Sequence, residues 1–280
     1  MDPSLHEQRG RPRLPAALPG SRVHSAPDCV ELKKVGAVLL DIEGTTTPIE
    51  FVHQTLFGHA RARVSGFLER HWDDPHVRAD VARFEAEHAA ESSQPAPPPW
   101  RDDAAGVVAY VHWLMDRDRK STGLKSLQGK IWEEGYRAGD LRSEVYPDVA
   151  PALERWRCQE IDIAIFSSGS VQAQRSLFTN TVAGDLTRFI RAYFDTTTGP
   201  KIEPESYARI AAALERAPSE VLFLSDIGTE LDAALAAGTQ TALCVREPGS
   251  APPAGAHPVI HKFDELQFRP LRCAQGDNDY

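Results

Sequence analysis

Apolar residues in this chain gather in short unbroken runs separated by stretches of helical periodicity, the pattern of a sheet covered on both faces. The first run, Val35-Gly-Ala-Val-Leu-Leu-Asp41, breaks at Gly44-Thr45-Thr46. A second, Ile161-Asp-Ile-Ala-Ile-Phe166, stops at Ser167-Ser168-Gly169-Ser170. A third, Val221-Leu-Phe-Leu-Ser225, stops at Asp226, and Thr241-Ala-Leu-Cys-Val245 makes a fourth after the helix-closing Gly238. Helical patterns over 171–180, 204–215 and 229–237 lie between the second, third and fourth runs. This alternation predicts an α/β fold with a doubly wound, mainly parallel sheet. Right-handed crossovers then carry the strand C-termini to one edge, where the polar residues that close each run meet.

The interval from Asp41 to Ile161 is too long for one crossover helix. It carries helical patterns over 50–71, 75–88, 102–117 and 124–138, with an irregular proline-rich linker over 92–99. An insertion that leaves a sheet directly after its first strand sits over the strand C-termini, so it reads as a candidate lid. The predicted organisation is an α/β core over 34–48 and 146–268, with a helical cap over 49–145 inserted after the first strand. Residues 1–33 hold prolines, glycines and arginines without periodicity and read as a disordered extension, and 269–280 as a tail.

Composition narrows the function. The 31 basic and 40 acidic residues give a net charge of −9, and no Lys/Arg-rich run offsets it, which argues against a nucleic-acid partner. Cys29, Cys158, Cys244 and Cys273 are scattered, so neither a zinc ribbon nor a disulfide framework is signalled and a reducing cytoplasm is expected. No apolar stretch approaches the roughly 20 residues that span a bilayer, and the N-terminus lacks the apolar core of a secretion signal, so no membrane partner is expected.

The candidate chemistry sits where the runs end. Asp41-Ile-Glu43 places two acids at the exit of a buried strand beside Gly44, and converging carboxylates need a cation. Taken alone, Asp41 reads equally well as a helix cap. Ser167 and Ser168 precede Gly169 and a helix, so hydroxyl and N–H groups can point at one anion, although a plain serine cap explains them too. No G-x-S-x-G elbow or nearby Ser-x-x-Lys is present, which disfavours a nucleophilic serine. Asp226 supplies a hard oxygen that can share Mg²⁺ with Asp41, or else another cap, and Glu230 falls in the first turn of the following helix. Lys201 closes the loop Phe194-Asp-Thr-Thr-Thr-Gly-Pro-Lys201, from which an ammonium can reach both a phosphate and Asp41.

In this order and at these strand ends, Asp41, Glu43, Ser167, Lys201 and Asp226 resemble the haloacid dehalogenase superfamily of phosphatases. The likeness is closer to one branch, for Leu39-Leu-Asp-Ile-Glu-Gly-Thr-Thr-Thr-Pro48 resembles the first motif of the enolase-phosphatases, or acireductone synthases. Most superfamily phosphatases carry Asp where this chain has Glu43. Further matches are Asp118-Arg-Lys-Ser-Thr-Gly-Leu-Lys-Ser-Leu-Gln-Gly129 with Trp132, Phe166-Ser-Ser-Gly-Ser-Val-Gln-Ala-Gln174, Tyr193-Phe-Asp-Thr196 through Lys201, and Phe223-Leu-Ser-Asp-Ile227 with Glu230-Leu-Asp232. The resemblance covers roughly residues 35–265.

It implies a haloacid dehalogenase-like fold and a monomeric enzyme of methionine salvage with one Mg²⁺ per subunit. The implied substrate is a small phosphorylated diketone, 2,3-diketo-5-methylthiopentyl-1-phosphate, which is enolised and then dephosphorylated to an acireductone. By the same resemblance Asp41 is the nucleophile and a metal ligand. Glu43 binds the metal through its backbone carbonyl while its side chain shuttles protons. Ser167 and Ser168 hold the phosphate, Lys201 stabilises its charge, Asp226 completes the metal shell and Glu230 supports it from behind. The segment from Asp118 to Trp132, with Lys120 and Lys125, is the first candidate for substrate contact, while Leu124, Leu127 and Ile131 at helical spacing build a core face.

Rival readings are a dehalogenase or sugar phosphatase of the same superfamily, and a phospho-accepting receiver module. Retained metal ligands argue against the dehalogenase. The long insertion after the first strand argues against the receiver, which needs only a short loop there.

Overall fold

The computed structural model describes residues 30–31, 34–119, 121–247, 255 and 257–268. The tail over 269–280, Lys120, Cys29, Cys273 and the predicted extension apart from Val30–Glu31 lie outside them. Strand β1 (Val30–Glu31) falls within the stretch read as an extension and pairs in parallel with β8 (Leu266–Gln267).

Six strands form the main sheet: β2 (Ala37–Leu40), β3 (Asp162–Phe166), β4 (Ala192–Phe194), β5 (Val221–Ser225), β6 (Gln240–Cys244) and β7 (Val259–Ile260). Their order is β4-β3-β2-β5-β6-β7, and every pair is parallel. The first strand of the sheet in sequence is thus central, with β3 and β5 on either side. That placement brings the residues following Leu40, Phe166 and Ser225 to one edge.

The pleat sends Val38 and Leu40 to one face of the sheet and Ala37 and Leu39 to the other. The first face packs with Ile163, Ile165, Leu222, Leu224, Trp156 and Phe178, the second with Ala164, Phe166, Phe223, Tyr207, Ile210 and Leu231. Helices α5 (Val149–Cys158) and α6 (Val171–Thr179) contribute to the first layer, α7 (Pro204–Ala213) and α8 (Gly228–Ala236) to the second. Sheet residues buried on both sides read as continuous apolar runs, which is why the four runs were legible.

Between β2 and β3 lie four more helices: α1 (Phe57–His71), α2 (Pro75–Ala89), α3 (Ala104–Met115) and α4 (Thr122–Ala138). They bury a core of their own around Val64, Leu68, Phe84, Tyr110, Val111, Leu127 and Ile131. Local signals set their ends. Asp103 accepts from the Gly106 N–H at 2.7 Å and Ser121 from the Leu124 N–H at 3.0 Å, while Gly139 closes α4 in the left-handed conformation at φ 79°. The predicted helix over 50–71 is not uniform: Phe51–Leu56 winds as a π-helix before α1 begins. Trp132 donates to the Leu56 carbonyl at 2.7 Å and ties this turn to α4. Helix α4 also meets the core, where Gln172 donates to Glu133 at 2.8 Å and Lys125 to the Ser168 carbonyl at 3.3 Å. Among the described residues no helix is long and apolar enough to cross a membrane.

At the opposite end of β3 from the site, buried Asp162 accepts from Arg191 at 2.6 Å and Arg216 at 2.8 Å. Burial pushes its carboxyl up, but the two guanidiniums outweigh that and hold it below the ordinary carboxylate range. The group therefore contributes stability fully above its unfolded pKa, and that contribution is lost as pH falls through the lower folded value. Asp162→Asn is expected to cost about 1 kcal/mol in urea unfolding at pH 7, because it removes the charge that two partly exposed guanidiniums share and leaves one acceptor oxygen for both. The difference from wild type should shrink in acid, and an unchanged midpoint at pH 7 would contradict this account.

Candidate active site

Asp41 leaves β2 with its N–H still bonded to the Leu224 carbonyl at 3.0 Å, so the sheet ladder itself fixes its position. Its Oδ1 accepts from the Ile42 N–H at 2.7 Å, and Thr46 donates its hydroxyl to the Asp41 carbonyl at 3.1 Å. A tight turn follows, with Gly44 at φ 65°. A Cβ built there would meet Asp226 Oδ2 at 2.2 Å, so the glycine lets the Asp226 carboxylate lie against this turn.

Lys201 reaches this edge from the loop after β4. Its Nζ lies 2.8 Å from Asp41 Oδ1 and 2.5 Å from Glu230 Oε2, with the rings of Phe166 and Phe223 both 5.9 Å away. The lysine backbone is held by the Tyr207 hydroxyl, which donates to its carbonyl at 2.6 Å. Ser225 completes the group: its Oγ stands 3.3 Å from Asp41 Oδ2 and 3.0 Å from Glu230 Oε2, and its one proton serves one of them at a time. Sequence reasoning passed over Ser225 because a serine closing an apolar run carries no signal of its own.

The capping alternatives fail in the structure. Helix α6 is capped by Ser170, which accepts from the Ala173 N–H at 3.3 Å, while Ser167 Oγ accepts from Gly169 N–H at 3.2 Å within the turn. Ile227 stands at the N-cap of α8, so Asp226 does not cap it. Glu50 stands at the N-cap of the π-helical segment, so Asp41 does not cap that either.

Electrostatics at this edge are crowded with negative charge. Burial first, and the Asp41 charge second, push the Asp226 carboxyl up to about 7. The same two causes raise Glu43 and Glu230. Burial alone would lower Lys201, but Asp41 and Glu230 outweigh it and raise its pKa, keeping the ammonium charged. Carboxylates held up by desolvation and mutual repulsion are what a bound cation would relieve. Among the described residues no three or more His, Cys, Asp or Glu side chains gather as a metal cluster. The residues that could hold a divalent cation at this edge are Asp41 and Asp226, whose carboxylates supply hard oxygen, with a backbone carbonyl such as that of Glu43.

Above this edge lies a cavity of about 620 Å³. Ile42, Glu43, Ser167 and Ser168 line it from the core, and Leu56, Phe57, Leu114, Asp118, Lys125 and Trp132 from the inserted helices. Asp41, Lys201 and Asp226 do not line it themselves; Asp41 is joined to it along the chain through Ile42 and Glu43, which do. The Glu43 side chain is 44% exposed, and His53 Nε2 stands 3.9 Å from its Oε2. Asp118, in the left-handed region at φ 47°, adds to the charge that raises Glu43. A second cavity of about 780 Å³ is lined in part by α4 and shares Lys125, Ser168, Ser170 and Thr196, but it lacks Glu43 and Ser167.

A parallel sheet with acids, a lysine and serines at its strand ends fits a hydrolase of the α/β class, and residues 35–238 match the family model of the haloacid dehalogenase-like hydrolases. The match is closer within that class. Proteins named enolase-phosphatase from Synechococcus elongatus and from Sorangium cellulosum are each 51% identical, over 83% of this chain and 98% of the first, and 82% and 96% for the second. The chain belongs to the enolase-phosphatase family. The crystal structure of the UTR4 protein from Saccharomyces cerevisiae superposes with a TM-score of 0.68 at 34% identity, covering 82% of this chain and 99% of that one. CbbY from Rhodobacter sphaeroides, at 18% identity and a TM-score of 0.51, shares the fold.

Gly44→Ala should retain the fold but move Asp226 off the turn. Turnover of phosphate ester should fall by about 100-fold, the scale of a misplacement near 1 Å. Activity close to wild type would show that the contact between Gly44 and Asp226 is not needed.

Proposed function

We propose that this enzyme enolises 2,3-diketo-5-methylthiopentyl-1-phosphate and then hydrolyses the phosphate, releasing the acireductone 1,2-dihydroxy-3-keto-5-methylthiopentene in methionine salvage. The observation that carries the reading is the pairing of Lys201 with Asp41 and Glu230, Asp41 being next along the chain to Ile42 and Glu43, which line the cavity together with Ser167. Relatives named enolase-phosphatase at 51% identity support the choice of substrate.

Enolisation removes a proton from the carbon bearing the phosphate ester, and the neighbouring carbonyl oxygen gains one, giving an enol phosphate. Asp41 then attacks phosphorus, the bond to the ester oxygen breaks, and that oxygen takes a proton from Glu43. Water next attacks the phosphorus of the aspartyl phosphate with Glu43 as base, returning Asp41 and inorganic phosphate. Ser167 and Ser168 hold the phosphoryl oxygens, and Lys201 balances their charge while keeping Asp41 oriented. Asp41, Asp226 and the Glu43 carbonyl would hold one Mg²⁺ per subunit, which would supply positive charge to offset that of the phosphoryl group. The inserted helices shield the site from bulk water. We place the enzyme in the cytoplasm as a monomer.

Supplying the diketone phosphate while following enediol absorbance and inorganic phosphate together tests the reading, and both signals are expected. Phosphate release without an enediol signal would instead indicate a phosphatase of other substrates. Asp41→Asn should abolish phosphate release with the fold intact, and turnover near wild type would remove Asp41 as nucleophile. Chelation by EDTA should silence the enzyme and added Mg²⁺ should restore it, whereas full activity in chelator would contradict the metal assignment.

A further inference from the structure

The turn Gly44-Thr45-Thr46-Thr47, which follows Asp41 and Glu43, is not braced by all of its own side chains. Thr45 Oγ1 and Thr47 Oγ1 are both buried and have no hydrogen-bond partner. Within the turn the Gly44 N–H donates to the Thr47 carbonyl at 2.9 Å and the Thr46 hydroxyl to the Asp41 carbonyl at 3.1 Å, and a further brace comes from outside it. Arg246, two residues beyond β6, aims Nε at the Thr45 carbonyl at 2.9 Å and Nη2 at the same oxygen at 2.6 Å. Its Nη1 meets both carboxylate oxygens of Asp148, at 3.0 and 2.8 Å, and the His261 carbonyl at 3.1 Å.

The guanidinium lies between two aromatic faces, with Cζ 4.5 Å from the Tyr146 ring and 4.4 Å from the Phe263 ring. The Tyr146 N–H in turn donates to the Thr46 carbonyl at 3.0 Å. Both charged partners are nearly dry, the Arg246 side chain being 5% exposed and that of Asp148 9%. A planar fork can bond a carbonyl along one edge and a carboxylate along the other, which a lysine ammonium cannot reproduce.

We propose that Arg246 is a positioning residue for the reaction, acting through the Thr45 carbonyl to fix the turn that orients Asp41 and Glu43. This rests on the reading above, in which those two residues perform the chemistry. Arg246 touches neither of them. It holds the one segment on which the Glu43 side chain and the Gly44 seat for Asp226 both depend.

The test uses the full chain and the diketone phosphate, with wild type measured first. Arg246→Lys should lower kcat by about tenfold or more with KM changed by less than about threefold, the split expected when transition-state geometry is lost and substrate binding is kept. Arg246→Ala should lose more, and added guanidinium ion should restore part of the lost kcat. Asp162→Asn, at the far end of the sheet, serves as a variant of lowered stability and should keep wild-type kcat. An inactive wild type would overturn the function proposed above and this inference with it. An active wild type with Arg246→Lys within about threefold in kcat would overturn the inference alone. So would an equal loss of kcat in Asp162→Asn at a matched drop in Tm. Should Arg246→Ala fail to fold, the kcat and KM of Arg246→Lys decide the matter.

Discussion

One buried ammonium organises this site. Lys201 stands between Asp41 and Glu230 at the exposed edge of a parallel sheet, with its charge almost wholly removed from water. Burying such a charge costs several kcal/mol unless carboxylates face it, so the lysine and the two acids fix one another in place. The same arrangement leaves Asp226 and Glu43 crowded by negative charge without an ammonium of their own. That imbalance is one that a bound cation would relieve.

The sheet makes this meeting possible. Asp41, Ser167 and Asp226 are 59 to 185 positions apart in sequence, yet the central position of β2 between β3 and β5 sets them side by side. The helices inserted after β2 then close over this edge with a core of their own, so the cavity has a polar floor and a largely apolar roof. Trp132 belongs to both parts of that roof, since it packs with the inserted core and pins the π-helical turn that carries His53.

Much of the fold was legible because buried parallel strands write unbroken apolar runs, and the four runs all became strands. Strands β4 and β7 were not, for three residues and two residues are too short to show a pattern. The π-helical turn hid within a helical pattern because both kinds of winding place apolar residues on one side over so short a span. At the site, residue type and place at a strand end or in the following loop singled out Asp41, Glu43, Ser167, Lys201 and Asp226 as candidates, and of these the structure pairs Lys201 with Asp41. Glu230 was expected to lie behind them, and it contacts Lys201 directly. What sequence could not show were contacts made across distance by residues with no motif: Ser225 between two acids, Lys125 on the Ser168 carbonyl, and Arg246 clasping the Thr45 carbonyl from beyond β6.

The central claim is that Asp41 becomes covalently phosphorylated. Quenching a single turnover within milliseconds, reducing the acyl phosphate with borohydride and mapping the peptides by mass spectrometry tests it most directly. The account predicts conversion of Asp41 to homoserine during turnover and none without substrate. Phosphate released at full rate with Asp41 unmodified at every time point would contradict it.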